Sequence, residues 1–316
     1  MSQEKKFRVL ILGHGEMGQA MEFLLAPHQA LRIWQRRPPA GVAPLNLEVV
    51  IPDSDVILFC LPATAHAAVA AQLAPLLRGD TLCLTIAKGL DEQGRLPATV
   101  LAEAVGAARV AVLYGPMISE EIRAGKPAFA ECGTAQPAAC ERIAALYRGT
   151  ALRLESSPDM TGLSWSAILK NVYAMAFGMA DELNLGDNTR GFLAVTALHE
   201  LSAIVQHLGG APATPYRLAG LGDLITTATS AGSHHHELGR LIGRNQRAAL
   251  TGEGVHSLAM IEQFRPLDSS GFPLLRLIAT CVREPGHARQ AMHDFIKNQA
   301  GVTALPLSVG ATSGRD

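Results

Sequence analysis

The chain has 316 residues, enough for two domains with separate hydrophobic cores. Its 27 basic and 28 acidic residues give a formal net charge of −1, which argues against electrostatic capture of nucleic acid or of an anionic membrane. The five cysteines are scattered and lack metal-ligand spacing, so we expect reduced thiols in a cytoplasmic protein.

The first predicted element is a strand over residues 7–12 that runs into a G-x-G-x-x-G turn and then a helix. The first glycine permits the tight bend, the second lets backbone amides approach a pyrophosphate, and the third lets the helix pack closely on the strand. The helix N-terminus offers free N–H groups to the phosphates. We therefore predict a dinucleotide site, the alternative being a turn that only joins strand to helix. The candidate cofactor contacts are Gly13, Gly15, Glu16, Met17 and Gly18.

A second predicted strand, over residues 31–34, is followed by Arg36 and Arg37, where an NAD-binding chain usually has a carboxylate. Because arginine pairs with phosphate through two hydrogen bonds, both residues suit the 2′-phosphate of NADP(H). We predict that NADP(H) is preferred, with NAD(H) as a second cofactor. The alternative is that both arginines belong to a solvated loop.

Short apolar strands alternate with helical patterns from residue 7 to about residue 155. This alternation predicts a doubly wound parallel sheet with its ligand crevice at the carboxyl ends of the strands. The stretch 56–77 is the least charged, but prolines, a histidine and a glutamine interrupt it, so we expect no stable insertion into a membrane. The remaining predicted strands are 56–60, 81–85, 110–114 and 151–154, with an edge strand over 127–131, and the predicted helices lie near 64–77, 97–105 and 136–147.

Helical spacing dominates after residue 156, up to about residue 298. The predicted fold class is α/β, with an N-terminal doubly wound Rossmann-type parallel sheet and an all-helical C-terminal domain. The predicted division is 1–156 for the dinucleotide-binding domain, 157–303 for the helical substrate and catalytic domain, and 304–316 for a frayed tail.

Lys170 lies on a face of small residues in a helix predicted over 161–183. Partial burial would lower its pKa toward the working pH, which suits a proton donor to a forming alkoxide. The alternative is a lysine that extends along the domain surface into solvent. Asp223 follows a glycine-rich turn and is the expected partner of an ammonium group, unless it only caps a helix.

Three further candidates follow predicted strands at the edge where the crevice is expected. Lys88 comes after the fourth strand, and Gly115 and Met117 come after the fifth. A cation at this edge would bind an anionic substrate or polarise a carbonyl group. We therefore count Lys88 among the catalytic, the cofactor-binding and the substrate-binding residues.

Taken in order, these motifs resemble the NAD(P)-dependent glycerol-3-phosphate dehydrogenases of the bacterial type. The likeness extends from Arg8 to about Phe295. No single motif identifies the family, but the motifs taken together are specific for it. The motifs are the glycines at 13–18, Trp34-x-Arg36, Ala87-Lys88-Gly89-Leu90, Gly115-Pro116, Leu169-Lys170-Asn171, the segment 186–190, and Ala219-Gly-Leu-Gly-Asp223-Leu224 followed by Thr227 and Thr229.

The resemblance implies a cytoplasmic homodimer that interconverts dihydroxyacetone phosphate and sn-glycerol 3-phosphate, a small phosphorylated substrate used for phospholipid precursors. It implies that Lys170 donates and accepts the proton and that Asp223 orients it. Ser119 and Glu253 would contact the cofactor. The substrate contacts would be Lys88, Gly115, Met117, Asn171, Asp223, Thr227, Ser233, His234 and His235.

Two segments depart from the family pattern. The family usually has Ser-Arg-Asn-Arg for the substrate phosphate, where this chain has Ser233-His234-His235-His236, and Met117 replaces the serine of Gly-Pro-Ser. A histidine imidazolium is one group that would still bind a phosphate. The alternative of a metal site is disfavoured because neighbouring side chains on a helix diverge by about 100°, so we predict no metal.

Two other functions stay open. A related NADP-dependent β-hydroxyacid dehydrogenase or ketopantoate-type reductase shares the G-x-G-x-M-G turn and a following helical domain, although the motif at 219–224 argues against it. A catalytically weakened NADP-binding sensor would explain the lost Arg-Asn pair, but retention of Lys88, Lys170 and Asp223 argues against that.

Overall fold

The computed structural model describes residues 6–230 and 232–299. The predicted tail 304–316 therefore lies outside the described residues. The strands are β1 Arg8–Leu12, β2 Ala30–Trp34, β3 Val56–Phe59, β4 Leu82–Thr85, β5 Val110–Tyr114, β6 Ala128–Thr134 and β7 Leu152–Ser157. The helices of the N-terminal part are α1 Glu16–Leu25, α2 Leu47–Val50, α3 His66–Leu73, α4 Pro97–Val105, α5 Ser119–Arg123 and α6 Pro137–Leu146. Those that follow are α7 Met160–Glu182, α8 Asp187–His207, α9 Asp223–Thr229, α10 His234–Gly243, α11 Glu253–Phe264, α12 Pro273–Arg283 and α13 Ala288–Gln299.

All seven strands form one sheet in the order β2-β1-β3-β4-β5-β6-β7. Strands β1 to β5 are parallel, and every residue of β3, β4 and β5 is buried. Continuous apolar strands of this kind are typical of a parallel sheet covered by helices on both faces. The strand order reverses between β1 and β3, which opens a crevice at the carboxyl ends of these strands.

The last two strands differ from the prediction in position and direction. Strand β6 is antiparallel to β5 and parallel to β7, so it lies inside the sheet, and the prediction of an edge strand over 127–131 is wrong. The reason is that β6 is buried along most of its length and forms ladders on both sides, which leaves β7 at the edge. The predicted Rossmann-type sheet followed by a helical domain is otherwise confirmed, with a sheet that is mostly parallel.

Helix α7 is the central element of the helical part, and its residues from 162 to 180 are buried. Asp159 caps it by accepting a hydrogen bond of 2.8 Å from the backbone N–H of Gly162. Helix α10 packs so closely on α7 that a Cβ on Gly178 would lie 1.9 Å from the carbonyl oxygen of His236. Because neighbouring helices surround α7, the one lysine in its middle is buried as well.

Within residues 6–230 and 232–299, we find no helix long and apolar enough to cross a lipid bilayer.

Candidate active site

The glycine turn between β1 and α1 has the backbone that dinucleotide binding requires. Gly13 has φ +92°, and a Cβ there would lie 2.4 Å from the carbonyl oxygen of Cys60. A Cβ on Gly18 would lie 2.2 Å from the carbonyl oxygen of Gly13, so both positions need glycine for packing. Gly15 differs, because no heavy atom lies within 4 Å of its built Cβ. This open space at the N-terminus of α1 fits a pyrophosphate bound by backbone amides.

The turn opens onto a cavity of about 710 Å³ between the sheet and the helical domain. Its wall unites residues that are far apart in the sequence, which is the arrangement expected of a cofactor and substrate site. The predicted site residues on this wall are Gly15, Glu16, Met17, Lys88, Met117, Lys170, Asn171, Asp223, Thr227, Ser233, His235 and Glu253.

Two lysines share one carboxylate at this wall. Asp223 Oδ2 lies 2.7 Å from Lys88 Nζ, and Asp223 Oδ1 lies 3.1 Å from Lys170 Nζ. Burial alone would raise the pKa of Asp223, but the two ammonium groups outweigh it and hold that pKa below its usual range. Asp223 is therefore ionised at neutral pH.

Lys170 has an unusual environment for an ammonium group. Its side chain is 6% exposed, and Nζ donates a hydrogen bond of 2.5 Å to the hydroxyl of Thr227. Burial lowers the pKa of Lys170 to about 8, with the charge of Lys88 acting in the same direction and Asp223 opposing it. The amine thus exchanges a proton near neutral pH, as a general acid and base must.

Lys88 and Asn171 are positioned by backbone carbonyl groups. Lys88 Nζ donates a hydrogen bond of 3.2 Å to the carbonyl oxygen of Gly115, and Asn171 Nδ2 donates one of 3.3 Å to the carbonyl oxygen of Lys88. Asn171 Oδ1 is buried and accepts no hydrogen bond from the described residues. A buried acceptor on a cavity wall normally has a partner, so this oxygen is a candidate contact for a ligand donor.

The histidine segment at the start of α10 contributes one imidazole to the cavity. Ser233 caps the helix by accepting a hydrogen bond of 3.3 Å from the backbone N–H of His236. The exposed His234 lies outside the wall, with Nε2 3.0 Å from the carbonyl oxygen of Thr251. His236 Nε2 lies 2.8 Å from a carboxylate oxygen of Asp181, also outside the wall.

His235 does line the cavity, but not in the charge state that the sequence suggested. Burial lowers its pKa to about 3, and the charge of Lys170 acts in the same direction. The ring is therefore neutral at pH 7, and the expectation of an imidazolium at this position is wrong. In the described part of the chain, no group of three or more histidine, cysteine or acidic side chains is arranged to hold a metal ion.

Other predicted site residues are not part of the cavity wall. Arg36 and Arg37 are exposed beyond the end of β2, and neither forms an ion pair with another described residue. Ser119 is buried at the start of α5 and donates a hydrogen bond of 2.8 Å to a carboxylate oxygen of Glu120. A Cβ on Gly115 would lie 2.5 Å from the carbonyl oxygen of Phe129, so this glycine is needed for packing against β6.

Glu131, on β6, is a functional candidate that the sequence analysis missed. Its fully buried carboxylate accepts hydrogen bonds from the backbone N–H of Ala219 at 2.9 Å and from Arg217 Nε at 2.6 Å. Both donors belong to the segment just before Asp223. The signal in the sequence was an isolated acid within an apolar strand, where a carboxylate needs a specific partner.

A Rossmann-type sheet whose glycine turn faces a buried cluster of two lysines and an aspartate defines a dinucleotide-dependent oxidoreductase. The family described as NAD-dependent glycerol-3-phosphate dehydrogenase matches the chain in two parts, its N-terminus over residues 38–140 and its C-terminus over residues 159–293. The chain belongs to the NAD-dependent glycerol-3-phosphate dehydrogenase family.

Individual relatives cover nearly the whole chain. The glycerol-3-phosphate dehydrogenase (NAD(P)+) of Gloeobacter violaceus is 33% identical over 299 residues, which are 90% of this chain and 96% of the relative. The corresponding protein of Pseudomonas putida is 32% identical over 285 residues, covering 80% and 83%. A solved glycerol-3-phosphate dehydrogenase from Coxiella burnetii has a TM-score of 0.80 at 26% identity, covering 92% and 99%. A ketopantoate reductase from Ralstonia eutropha has a TM-score of 0.57 at 16% identity, covering 92% and 99%, and shares the fold only.

Proposed function

We propose that this protein is an NADP(H)-dependent dehydrogenase that interconverts dihydroxyacetone phosphate and sn-glycerol 3-phosphate, a phospholipid precursor. The observation that carries the proposal is the Lys88–Asp223–Lys170 cluster on the wall of a cavity that the glycine turn also lines. The substrate and the NAD(P)+ in the names of the relatives support it.

The residues around the cavity fit a bound nicotinamide dinucleotide. The glycine turn and the N-terminus of α1 would hold the pyrophosphate, and the exposed Arg36 and Arg37 would hold the 2′-phosphate. Glu253 lies on the same wall and would contact the nicotinamide side, while Ser119 supports the wall residue Glu120. When bound, NADP(H) supplies the hydride in reduction and accepts it in oxidation.

Lys170 holds the proton that the reaction needs. An ammonium group has three hydrogens, and Asp223 and Thr227 account for two of them. The third is available to the substrate oxygen, which gains a proton as the carbonyl becomes a hydroxyl. Because the pKa of Lys170 is about 8, the neutral amine is also accessible and accepts the proton in the reverse direction.

Lys88 has a matching role on the sheet side of the cavity. Asp223 and the carbonyl oxygen of Gly115 account for two of its hydrogens, which leaves one for the substrate. A positive charge there polarises a carbonyl group and stabilises the negative charge that develops on its oxygen. Asn171 and Thr227 fix the two lysines and line the same cavity.

The experiment that tests this proposal measures NADPH oxidation with dihydroxyacetone phosphate and with a panel of 2-keto acids, ketopantoate and phosphosugars. We expect the highest kcat/KM with dihydroxyacetone phosphate. A higher value with ketopantoate or a β-keto acid would establish the related reductase activity instead. Binding of NADPH without turnover of any compound would favour the weakened sensor.

The proposal includes a cytoplasmic homodimer. Phe192 and Val195 are exposed on α8, one turn apart, which is the kind of apolar surface that a second subunit covers. All five cysteines are free thiols, in keeping with a reducing compartment. Sedimentation equilibrium of the wild type and of a Phe192→Glu variant tests the dimer, since the variant should dissociate at concentrations where the wild type does not.

A further inference from the structure

Apart from Asp223, the part of the cavity wall formed by α9, α10 and the segment between them consists of uncharged hydrogen-bonding groups. Ser230, Ser233, Thr226 and His235 lie there. Thr226 is already committed, because its hydroxyl donates a hydrogen bond of 2.9 Å to the carbonyl oxygen of Gly222. The Ser230 hydroxyl, the hydrogen of the Ser233 hydroxyl that caps α10, and the neutral imidazole are left to contact the far end of a substrate.

The charges on the wall do not favour a second anionic group. Among the described residues, the wall has two cationic side chains, Lys88 and Lys170, and both are paired with Asp223. A phosphate dianion that leaves water needs a cation or several strong donors, since desolvation and repulsion from carboxylates both oppose it. The acidic residues of the wall are Glu16, Glu120, Glu121, Asp223 and Glu253.

Two buried atoms that line the cavity also prefer a ligand that carries a hydroxyl. Asn171 Oδ1 and His235 Nε2 are both buried and have no hydrogen-bond partner among the described residues. The asparagine oxygen only accepts, so it needs a donor, which an alcohol supplies and a phosphate dianion does not. The imidazole is neutral, so it pairs with an alcohol as readily as with an anion.

His234 offers no compensation for this lack of charge. Its ring is turned toward the loop before α11, where Nε2 lies 3.0 Å from the carbonyl oxygen of Thr251. A Cβ on Gly252 would lie 2.6 Å from the same nitrogen, so the ring occupies the space that this glycine leaves. The side chain is thus held outside the cavity.

We propose that this site binds the far end of its substrate as an uncharged hydroxyl group, so that short hydroxyketones and polyols without a phosphate are substrates as well. The inference rests on the proposed function for the reacting carbonyl and extends it to dihydroxyacetone and glycerol. In the reduction of dihydroxyacetone, the carbonyl carbon gains the hydride of NADPH, which leaves NADP+, and the carbonyl oxygen gains the proton of Lys170. The product is glycerol.

Binding in a complex that cannot react tests the inference without turnover. The fluorescence of NADPH bound to the full-length protein is titrated with glycerol and with glycerol 3-phosphate at constant ionic strength. Because both ligands are already reduced, no hydride transfer occurs. We expect dissociation constants within about tenfold of each other. A preference of 100-fold or more for glycerol 3-phosphate would overturn the inference, and so would a failure of both ligands to bind.

Variants that add a cation to the wall give the converse test. His235→Arg, or Ser230→Arg where the first variant does not fold, should raise the preference for glycerol 3-phosphate over glycerol by about 10- to 100-fold. His287→Arg is the matched control, because it adds the same group at an exposed position outside the cavity. An unchanged ratio in both wall variants would show that the phosphate does not face this wall, which contradicts the inference.

Turnover of the two ketones separates this inference from the proposed function. NADPH oxidation with dihydroxyacetone should have a kcat/KM within about tenfold of that with dihydroxyacetone phosphate. Without an unpaired cation on the cavity wall, the phosphate group gains little binding energy over a hydroxyl. If neither ketone is reduced, the proposed function fails, while the ratio of dissociation constants still decides how the far end is bound. If only the phosphorylated ketone is reduced, the proposed function holds and this inference fails.

Discussion

Glu131 accepts a hydrogen bond of 2.9 Å from the backbone N–H of Ala219, and this bond links strand β6 to the segment that carries Asp223. The same carboxylate accepts from Arg217 Nε at 2.6 Å. A turn over Leu218–Gly222 follows, and it is tight, because a Cβ on Gly220 would lie 2.1 Å from a backbone carbonyl oxygen. Glu131 thereby anchors to the sheet the segment that leads to Asp223, whose carboxylate lies between the two lysines.

Removal of this carboxylate should affect both stability and catalysis. Glu131→Ala leaves the buried backbone N–H of Ala219 without its partner and removes one of the two carboxylates that pair with Arg217, so we expect a loss of about 2–4 kcal/mol in the free energy of unfolding. A shift of Asp223 should also lower kcat by roughly tenfold or more, with the KM for NADPH unchanged. Glu131→Gln keeps an acceptor for Ala219 and should recover most of kcat. The control is Glu155→Ala, which removes the exposed partner of the same arginine, and an equal loss of kcat there would contradict the positioning role.

Lys170→Ala should lower kcat by roughly 10²- to 10⁴-fold, because a positioned general acid contributes about that much. Binding of NADPH should persist, since the glycine turn is unchanged. Asp223→Asn should act in the same direction through Lys170. Steady-state kinetics and NADPH fluorescence measure the two effects, with the exposed Lys126→Ala as the control. If Lys170→Ala keeps a turnover close to wild type, Lys170 is not the proton donor, and Lys88 is the next candidate.

The pH dependence should follow the pKa of Lys170, which is about 8. Ketone reduction needs the ammonium form, so its rate should fall as the pH rises through 8. Alcohol oxidation needs the neutral amine, and its rate should fall as the pH drops below 8. Asp223 raises the pKa of Lys170, so Asp223→Asn should move both limbs to lower pH. A shift to higher pH in profiles of kcat would refute this assignment.

Local patterns in the sequence were enough to predict the glycine turn and the buried Lys170. The spacing of the three glycines is typical of a strand, a turn and a helix that are adjacent in the sequence, and a lysine on a face of small residues indicates a close helix neighbour. The prediction failed for β6, because periodicity does not reveal which strands flank a strand or in which direction they run.

The electrostatics of the site depended on contacts between distant segments. The neutral state of His235 results from its burial and from Lys170 on another helix, and neither is visible in the Ser-His-His-His segment itself. Glu131 and Ala219 are likewise 88 positions apart and meet only in the fold. Residue types therefore indicated the reaction class, whereas charge states required the tertiary structure.

Cofactor preference should depend on the exposed arginines beyond β2. A charged hydrogen bond to phosphate is worth about 1.5–3 kcal/mol, so Arg36→Ala should weaken NADPH about tenfold or more and leave NADH unchanged. Dissociation constants from fluorescence titrations of both cofactors measure this. Arg32→Ala, on strand β2 just before this segment and also exposed, is the matched control. A wild-type preference for NADH, or an equal loss of affinity for both cofactors in Arg36→Ala, would contradict the proposed 2′-phosphate contact.

Acid should weaken the fold through Asp55, at the end of the sheet opposite the cavity. One oxygen of Asp55 accepts from the backbone N–H of Arg8 at 2.9 Å, and the other lies 2.7 Å from Arg8 Nη2 and 3.0 Å from Arg78 Nη2. The hydrogen bond from the Arg8 side chain is the largest of the effects that hold the pKa of Asp55 well below its usual range. Its folded pKa is thus lower than its unfolded pKa of about 3.9.

A depressed carboxyl pKa gives stability that is present above the unfolded pKa and is lost as the pH falls toward the folded pKa. Asp55→Asn should therefore cost about 2–3 kcal/mol of unfolding free energy at pH 7, and the difference from wild type should shrink below about pH 4. Urea unfolding at pH 7, 5 and 3 measures the difference. Asp53→Asn removes an exposed partner of Arg8 and should cost less than about 1 kcal/mol. A difference for Asp55→Asn that stays constant from pH 7 to pH 3 would mean that packing, and not the charge of this carboxylate, supports the sheet at Arg8.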